Sequence, residues 1–576
     1  MNNRKLAKIF HEIALYLEMQ NQKIDFRPQA YEKAAINLET LSEDVEFIYK
    51  KEGLKGLIKI PSIGKNIAEK IEEYLKTGKV KTYQKLKKEM PVNIEELSGV
   101  EGIGPKKIKT LYKKLKIKNL KDLEKAIKTE KIRNLPNFGL KTEQNILESI
   151  QFLKRNTGRF LLGEILPKIY EIINKLKKLK EVKMISEAGS IRRRKETAGD
   201  IDILLASPNP KKVINYFVSL SEVSKIWAQG PTKASIHSKE GFDIDLRVLP
   251  EKQFGSALQY FTGSKEHNIV LRKLAINKNL KLNEYGLFRG KKLIAGKTEK
   301  EIYQALKMDY PEPELRENTG EIEAAIKGKL PKIINHKDIK GDIHCHSNWN
   351  GGENSIEEMA TEAIKIGYQY IGIADHTKFL KIENGLDEKQ LEKRDKEIDK
   401  INKKFQKSGL KFRILKGCEA NIMPDGSIDI KNNALAKLDF VIAGVHSQLK
   451  MPKEKMTQRI IKAMENPNID IIAHPTGRLL MRRNEYEFDF NEILKTAKRT
   501  NTVLEINSSP ERLDLKDVYI KKAKEAGIKM IINTDSHHKK HLCFMEYGVA
   551  QARRGWAEKK DIINCYPAEK MLKMLK

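Results

Sequence analysis

Residues 189–206 read GSIRRRKETAGDIDILLA. The second half of this stretch is a predicted strand in which Asp200 and Asp202 stand two residues apart, so that both carboxylates project from one face. Adjacent carboxylates repel each other unless a cation lies between them, and their hard oxygens suit Mg²⁺ or Mn²⁺. The pattern predicts a metal-dependent site in a mixed α/β layer. The alternative is a pair of strand-end aspartates in salt bridges with the nearby arginines.

A third carboxylate and a phosphate-binding turn accompany this pair. Asp245 lies on a neighbouring predicted strand, DIDLRV, and would complete a two-metal clamp. In such a clamp one ion activates an attacking hydroxyl and the other stabilises a leaving pyrophosphate. At Gly189 and Ser190 the backbone can approach a phosphate, and Arg193 can neutralise a triphosphate. The combination favours nucleotidyl transfer more strongly than the aspartate pair does alone.

Three short elements upstream each place a glycine after an apolar residue and directly before a lysine-containing amphipathic helix. They are Ile60–Ile67, Val100–Ile108 and Leu135–Thr142. This pattern is typical of a helix-hairpin-helix, in which a glycine turn and a helix N-terminus bind one phosphate without reading base edges. We expect Gly64, Gly102, Gly104 and Gly139 to contact DNA. For a single copy, an ordinary glycine turn between packed helices would be an equal alternative.

The charge of the chain is unevenly distributed. The 576 residues are too many for one core, and their net charge is +32. Residues 1–340 carry 68 Lys and Arg against 44 Asp and Glu, whereas residues 341–576 carry 42 against 34. We therefore expect the first part to bind a polyanion. Four cysteines and no apolar run of 18 residues indicate a protein of the reducing cytoplasm without a membrane span.

Eight of the twelve histidines follow residue 340 and indicate a second chemistry. His344 and His346 share one face of a predicted strand and offer nitrogen ligands to Zn²⁺ or Mn²⁺. Short strands then alternate with helices, which predicts a barrel-like parallel α/β domain. Further candidates stand at the ends of these strands: Asp375, His376, Glu419, His446, His474, Asp535 and His537. One such histidine would more often be structural, but the series favours a metal cluster.

Residues 1–315 resemble the family X DNA polymerases, the group of DNA polymerase beta. The matching segments are QAYEKAA (29–35), the first hairpin through Lys70, GSIRR with GDIDILL, DLRV, and YFTGS (260–264) followed by Asn268 and Arg272. By this resemblance Asp200, Asp202 and Asp245 bind the catalytic metals, and Asp245 helps to activate the primer 3′-hydroxyl. Asp243 lies on the same face of this strand as Asp245. We assign the metal-binding role to Asp245 because the Leu-Arg of the family motif follows it.

The same resemblance assigns the nucleotide pocket. Ser190, Arg193 and Arg159 would hold the triphosphate. Tyr260, Phe261 and Gly263 would cradle the sugar, with Asn268 and Arg272 near the nascent base pair. Lys70 falls where some relatives carry an amine that forms a Schiff base with an abasic sugar, although a plain surface lysine is an equal alternative.

Residues from Gly341 to about Pro567 resemble the PHP (polymerase and histidinol phosphatase) domain. By this resemblance His344, His346, Glu419 and Asp535 form one metal site. Glu419, His446 and His474 form a second, and His376 with His537 a third. Polymerase-linked relatives of this kind are 3′→5′ exonucleases supported best by Mn²⁺, and some act as phosphatases or abasic-site nucleases. Gly351 stands where the family usually has a ligand aspartate, so the third ion would be weak, absent or held by Glu353 or a water.

The fold class expected is therefore a multidomain protein with an all-α helix-hairpin-helix N-terminal region, an α+β palm with a small α+β thumb-like domain, and a C-terminal α/β PHP barrel. The expected domains are a lyase-like helical domain (1–85), a helical DNA-binding domain (86–153), a nucleotidyltransferase palm (154–250), a thumb-like domain (251–315), a linker (316–337) and a PHP phosphoesterase domain (338–576). Within the thumb-like domain, residues 254–264 are expected to form a loop.

The expected function is DNA-directed gap filling in base excision repair by a monomer, with 3′→5′ exonuclease activity. Its partners would be gapped or primer-template DNA and deoxynucleoside triphosphates. Mg²⁺ or Mn²⁺ would serve the polymerase site, and two or three Mn²⁺ or Zn²⁺ ions the PHP site. The alternatives are a polymerase whose PHP domain is inactive or only a phosphatase, a small-molecule phosphatase, and a DNA-binding scaffold with decayed sites.

Overall fold

The computed structural model describes residues 2–20, 26–41, 44–100, 102–136, 138–156, 158–380 and 384–576. The chain forms two compact units. The first comprises Met1–Thr157 with Met481–Arg483, and the second comprises Gly158–Leu480 with Asn484–Lys576. In the described ranges no helix combines the length and the apolar character that a bilayer span needs.

The first unit is helical. On its first helix Leu6, Phe10, Ile13 and Leu17 are buried, and their three- and four-residue spacing forms the apolar face that packs into the core. The helices are α1 (Asn2–Gln20), α2 (Arg27–Thr40), α3 (Val45–Ile58), α4 (Lys65–Thr77), α5 (Lys81–Glu89), α6 (Ile94–Ser98), α7 (Pro105–Leu115), α8 (Leu120–Lys128) and α9 (Leu140–Asn156). The helices expected after the three glycine turns are therefore α4, α7 and α9.

The second unit begins with a mixed sheet. Its strands are β1 (Phe160–Leu161), β2 (Met184–Glu187), β3 (Thr197–Ala198), β4 (Ile201–Ala206), β5 (Val223–Gln229), β6 (Lys233–Ser238) and β7 (Asp243–Leu249). The helices are α10 (Leu162–Lys177), α11 (Gly189–Arg192) and α12 (Pro210–Val218). Five strands pair in the order β2-β4-β7-β6-β5, and β1 pairs with β3. Strands β4 and β7 are parallel neighbours, which brings two of the predicted carboxylates side by side.

A smaller α+β region follows. It contains α13 (Phe254–Thr262), α14 (Lys265–Asn277), β8 (Lys281–Asn283), β9 (Gly286–Arg289), β10 (Lys292–Ala295), α15 (Glu299–Ala305) and α16 (Glu321–Ile326). The expected loop at 254–264 is wrong, because α13 occupies most of it. Glycine, serine and threonine weaken the helical signal there. Gly255 is needed for packing, however, since an added Cβ would lie 2.3 Å from the Cα of Thr298.

The expected linker at 316–337 is also more ordered than its charged composition suggests. Arg316 is fully buried, with Nη1 2.5 Å from Glu299 Oε1. Glu321, at the start of α16, is fully buried as well, and its Oε1 lies 2.7 Å from His267 Nδ1. Arg316 and Glu321 therefore pair with the α+β region and hold the start of this segment against it.

The remainder of the second unit is a parallel barrel. Its strands are β11 (Gly341–Cys345), β12 (Tyr370–Ile373), β13 (Arg413–Asn421), β14 (Phe440–Gly444), β15 (Ile471–Ile472), β16 (Val503–Asn507) and β17 (Met530–Asn533). The helices are α17 (Ile356–Ile366), α18 (Glu388–Lys407), α19 (Asn432–Leu435), α20 (Lys453–Met464), α21 (Phe490–Thr500), α22 (Asp517–Glu525), α23 (Met545–Arg554) and α24 (Ala568–Leu572).

The strands of the barrel follow chain order, and every neighbouring pair is parallel. A bridge between Cys345 and Ser536 links the end of β11 to the segment after β17 and nearly closes the ring. Most strand residues are buried because helices cover the outer face. The carboxyl ends of all seven strands consequently meet at one end of the barrel.

We expect Arg316→Ala to lower the free energy of unfolding by about 3 kcal/mol, because it leaves Glu299 buried with one cationic partner fewer. Burial alone would raise the pKa of Glu299, but Arg316 and Arg192 hold it at about 2. The contribution of this carboxylate is therefore present above the ordinary pKa of 4.5 and is lost as the pH falls from there towards 2. Urea unfolding at pH 7 and at pH 3 would measure both effects.

Lys297→Ala is the matched control, since Lys297 pairs with Glu251 at the surface. We expect it to cost less than ~1 kcal/mol. An Arg316 variant as stable as this control would contradict the prediction.

Candidate metal centres

The predicted carboxylates of the mixed sheet lie together. Asp202 on β4 stands directly opposite Asp245 on β7, and Asp200 immediately precedes β4. Burial and, after it, the neighbouring Asp245 raise the pKa of Asp202 to about 6. Asp245 accepts a hydrogen bond of 2.5 Å from the Ser235 hydroxyl. A divalent cation at this group would offset the repulsion between the carboxylates.

Gly189 allows the turn to approach these carboxylates. Its φ is +60°, and an added Cβ would lie 3.0 Å from Asp202 Oδ2. Ser190 follows it in the short helix α11. Asp243, the rival to Asp245, is exposed at the start of β7 and is held by Trp227 Nε1 at 2.8 Å and His237 Nδ1 at 2.6 Å. The Asp243 carboxylate is therefore engaged by Trp227 and His237 and not by the group around Asp202.

The predicted triphosphate arginines have defined partners. Arg193 donates from Nη1 to the Thr262 carbonyl at 2.6 Å and from Nε to Glu317 at 2.9 Å. Arg159 donates to the hydroxyl and the carbonyl of Thr197, at 2.9 and 2.6 Å. Arg193 therefore joins the turn after β2 to the end of α13.

The residues expected around the sugar and the base pair form one cluster at α13 and α14. They are Tyr260, Phe261, Gly263, Asn268 and Arg272. Asn268 donates from Nδ2 to the Tyr260 carbonyl at 2.7 Å, and Arg272 donates from Nε to the Asn268 carbonyl at 3.2 Å. An added Cβ at Gly263 would lie 2.7 Å from Asn268 Oδ1, so a larger residue there would displace the Asn268 amide group.

The glycine turns of the first unit are open. An added Cβ at any of the four predicted contact glycines would meet no described atom within 4 Å: these are Gly64, Gly102, Gly104 and Gly139. Gly64 and Gly104 are the N-caps of α4 and α7, so their helix N-termini are accessible to a phosphate. Lys70 lies on α4 with Nζ 6.0 Å from the centre of the Tyr31 ring. Its lyase role stays a prediction.

The histidines and acids predicted as ligands gather at the carboxyl end of the barrel. Glu419 is the centre of this group: its Oε2 lies 3.3 Å from His344 Nε2, 3.6 Å from His346 Nε2 and 2.7 Å from His376 Nδ1. Its Oε1 lies 3.0 Å from His446 Nε2 and 2.9 Å from His474 Nε2. Asp535 Oδ1 lies 3.2 Å from His346 Nε2.

Among the described residues, three groups of side chains have the spacing of metal ligands. They are His344, His346, Glu419 and Asp535; His376, Glu419 and His446; and His346, His376 and His537. The first group is the one that the sequence predicted. The second has His376 where the prediction had His474, and the third adds His346 to the predicted pair, so ligands are shared more widely than expected.

Buried polar atoms in this cluster support divalent metal binding. Among the described residues, those without a hydrogen-bond partner include His344 Nε2, both ring nitrogens of His346, His376 Nδ1, Glu419 Oε2 and Asp535 Oδ1. Leaving so many buried donors and acceptors unpaired would be costly. Nitrogen and carboxylate ligands of this kind suit Mn²⁺ or Zn²⁺.

Glu505 on β16 is a functional residue that the sequence analysis missed. Its Oε1 lies 2.7 Å from His344 Nδ1, and its Oε2 accepts from the backbone N–H of His474 at 2.7 Å. It therefore orients one ligand through the ring nitrogen that faces away from the cluster. A lone acid in the apolar strand VLEIN was the available signal.

The turn at Gly351 lacks the usual carboxylate. Gly351 has φ +56°, and the backbone N–H of Glu353 donates to the His537 carbonyl at 2.8 Å. Neighbouring Asn350 is buried, and its Oδ1 accepts from the backbone N–H of His376 at 3.0 Å. The turn is thus tied to two predicted ligands through their backbones.

Comparisons with known proteins agree with the expected types of domain. Four family models match: a helix-hairpin-helix domain at residues 1–80, a SAM-like helix-hairpin-helix tandem at 94–151, a DNA polymerase beta thumb at 257–317 and a PHP domain at 342–509. The DNA polymerase/3′-5′ exonuclease PolX of Bacillus subtilis (strain 168) is 36% identical over 572 residues, which is 98% of this chain and 97% of its own length. The chain belongs to the PHP-containing family X DNA polymerases.

Membership of family X confirms the expected fold class, with its helix-hairpin-helix region, thumb and PHP barrel. The exact domain boundaries and the role of each site residue stay predictions. The barrel of this family X chain also has separate relatives. A probable phosphatase of Caldicellulosiruptor saccharolyticus is 33% identical over 211 residues, and one of Thermoanaerobacter sp. (strain X514) is 33% identical over 208. These cover 35% and 34% of this chain, and 81% and 78% of those proteins.

We expect Glu505→Gln to weaken metal binding by about 10- to 100-fold. Both carboxylate oxygens of Glu505 now accept hydrogen bonds, whereas the NH₂ group of a glutamine would face one of those donors without accepting from it. Titration of metal-free protein with Mn²⁺ would measure the change. Glu465→Gln is the control, since Glu465 lies at the surface, where it pairs with Arg499. Unchanged affinity in a folded Glu505 variant would show that His344 needs no such partner.

Proposed function

We propose that the chain is a DNA-directed DNA polymerase that fills short gaps during base excision repair. The observation that carries this proposal is the direct pairing of Asp202 with Asp245 beside the Gly189 turn. The family relationship and the open glycine turns of the first unit support it. DNA and deoxynucleoside triphosphates would be the substrates, and a cytoplasmic monomer stays the predicted form.

Some of these residues would bind the metal ions and the triphosphate, and others would position the sugar and the base. Bound Mg²⁺ or Mn²⁺, held by Asp200, Asp202 and Asp245, would supply Lewis-acid activation of the primer hydroxyl and stabilisation of the pyrophosphate. Ser190, Arg159 and Arg193 would hold the triphosphate. The cluster at α13 and α14 would place the sugar and the base, while the glycine turns bind DNA phosphates. Reaction then depends on alignment of the primer end with the α-phosphate.

We further propose that the barrel is a 3′→5′ exonuclease. The unpaired buried atoms around Glu419 support a cluster of Mn²⁺ or Zn²⁺ ions, which when bound would activate water against a phosphodiester. The PolX relative is named as an exonuclease, which agrees with this assignment. The rival is a phosphatase acting on small phosphomonoesters, since relatives of the barrel are named probable phosphatases.

The two activities are expected to be separable. Asp200→Ala with Asp202→Ala should reduce primer extension by at least about a thousandfold, because the metal site loses two carboxylates. His344→Ala with His346→Ala should reduce 3′ resection by a similar factor and leave extension intact. Both double variants are assayed side by side on one gapped DNA substrate with Mg²⁺ or Mn²⁺.

Each double variant is the control for the other. Extension that survives loss of the aspartates would overturn the polymerase assignment, and resection that survives loss of the histidines would overturn the exonuclease assignment. Faster turnover of a small phosphomonoester than of DNA would favour the phosphatase alternative for the barrel.

Gly351→Asp is expected to raise the metal content by about one ion per chain, because it restores the missing carboxylate. The backbone should accept it, since aspartate tolerates positive φ better than most residues. Gly351→Asn has the same backbone tolerance without the charge and is the matched control. Equal metal content in the two variants, measured by plasma mass spectrometry after dialysis, would argue against a third site at this turn.

A further inference from the structure

One buried arginine of the barrel reaches the predicted nucleotide pocket. Arg554 ends helix α23 and is only 6% exposed. Its Nη1 donates to the backbone carbonyl of Arg193 at 2.8 Å and to Glu317 Oε1 at 3.1 Å. Its Nη2 donates to Asp517 at the start of α22. A side chain of the barrel thus contacts the main chain of Arg193, a residue predicted to bind the triphosphate.

Glu317 is shared among three cations. Its Oε1 accepts from Arg193 Nε at 2.9 Å as well as from Arg554, and its Oε2 lies 3.2 Å from Lys195 Nζ. Burial alone would raise the pKa of Glu317, but Arg554, Arg193 and Lys195 together hold it below its ordinary value. The carboxylate is therefore charged, and that charge is shared among Arg554, Arg193 and Lys195.

These contacts fix the orientation of the Arg193 guanidinium. Its Nη1 is bound to the Thr262 carbonyl and its Nε to Glu317, whereas its Nη2 takes part in neither bond. Without Arg554, the charge of Glu317 would fall on Arg193 and Lys195 alone. An incoming triphosphate would then compete with a stronger internal partner for Arg193.

We propose that Arg554 is a positioning residue for nucleotide binding: it shares the charge of Glu317 and holds the Arg193 carbonyl, so that Arg193 stays available to the triphosphate. This rests on the polymerase function proposed above. The barrel is then a structural part of the polymerase site, independently of its own metal chemistry.

The test is steady-state filling of a one-nucleotide gap by the full-length protein, with the complementary deoxynucleoside triphosphate varied. Arg554→Ala should raise KM for the nucleotide about tenfold while kcat changes less than about threefold, because the interaction acts on binding. Arg553→Ala is the matched control on the same helix. Arg553 contacts Glu314 and the Ile334 carbonyl instead, and its KM should equal that of the wild type.

A second background tests the route through Glu317. In a Glu317→Gln protein, Arg554→Ala should raise KM less than about threefold, because there is no longer a charge to share. An equal increase in both backgrounds would overturn the proposal, and so would a wild-type KM in folded Arg554→Ala.

Thermal melting and metal content establish that each variant is folded. Should Arg554→Ala not fold, Arg554→Lys replaces it: the amine keeps the charge but lacks the planar fork that reaches Glu317, Asp517 and the carbonyl together. KM should then rise about threefold, and an unchanged KM would overturn the proposal. A wild-type protein that extends no primer would reject the polymerase function itself, whereas normal wild-type extension with unaltered variant KM would reject only the role of Arg554.

Discussion

A buried carboxylate needs positive charge beside it, and this requirement shapes both candidate centres. In the barrel, Glu419 is buried to 0% exposure and five imidazoles lie within 3.6 Å of its oxygens. In the mixed sheet, Asp202 has another carboxylate beside it instead, and its pKa rises to about 6. Imidazoles that bind a metal are neutral, so bound cations would balance the buried carboxylates in both centres.

The same requirement joins the parts of the second unit. Arg478 of the barrel donates to Glu196 at 3.2 Å, and Arg553 donates to Glu314 at 2.7 Å. Both arginines are mostly buried, so removal of one partner would leave a charge with few alternatives. The sheet and the barrel therefore share ion pairs as well as apolar packing, in which Leu513 and Tyr547 of the barrel join the core beside the sheet.

The sequence predicted those features whose signals are local. Asp200 and Asp202 were found because a strand repeats every two residues, and the barrel ligands because parallel strands end together. Features that depend on distant partners were not found. Glu505 acts through His344, which lies 161 positions away in the chain. Arg316 and Glu321 looked like linker charges because their partners, Glu299 and His267, can be recognised only in the folded chain. The helix at Phe254–Thr262 was missed because its glycine serves packing against Thr298.

The near-closure of the barrel at Cys345 and Ser536 has a consequence for biosynthesis. The first strand and the last supply ligands to the same group, His344 and His346 from one side and Asp535 from the other. Nearly two hundred residues separate them, so this group cannot assemble on the ribosome until Asp535 has emerged. An ion bound by this group would require both strands to be in place and would stabilise that arrangement by mass action. Metal supply would thereby add to the stability of the newly made barrel.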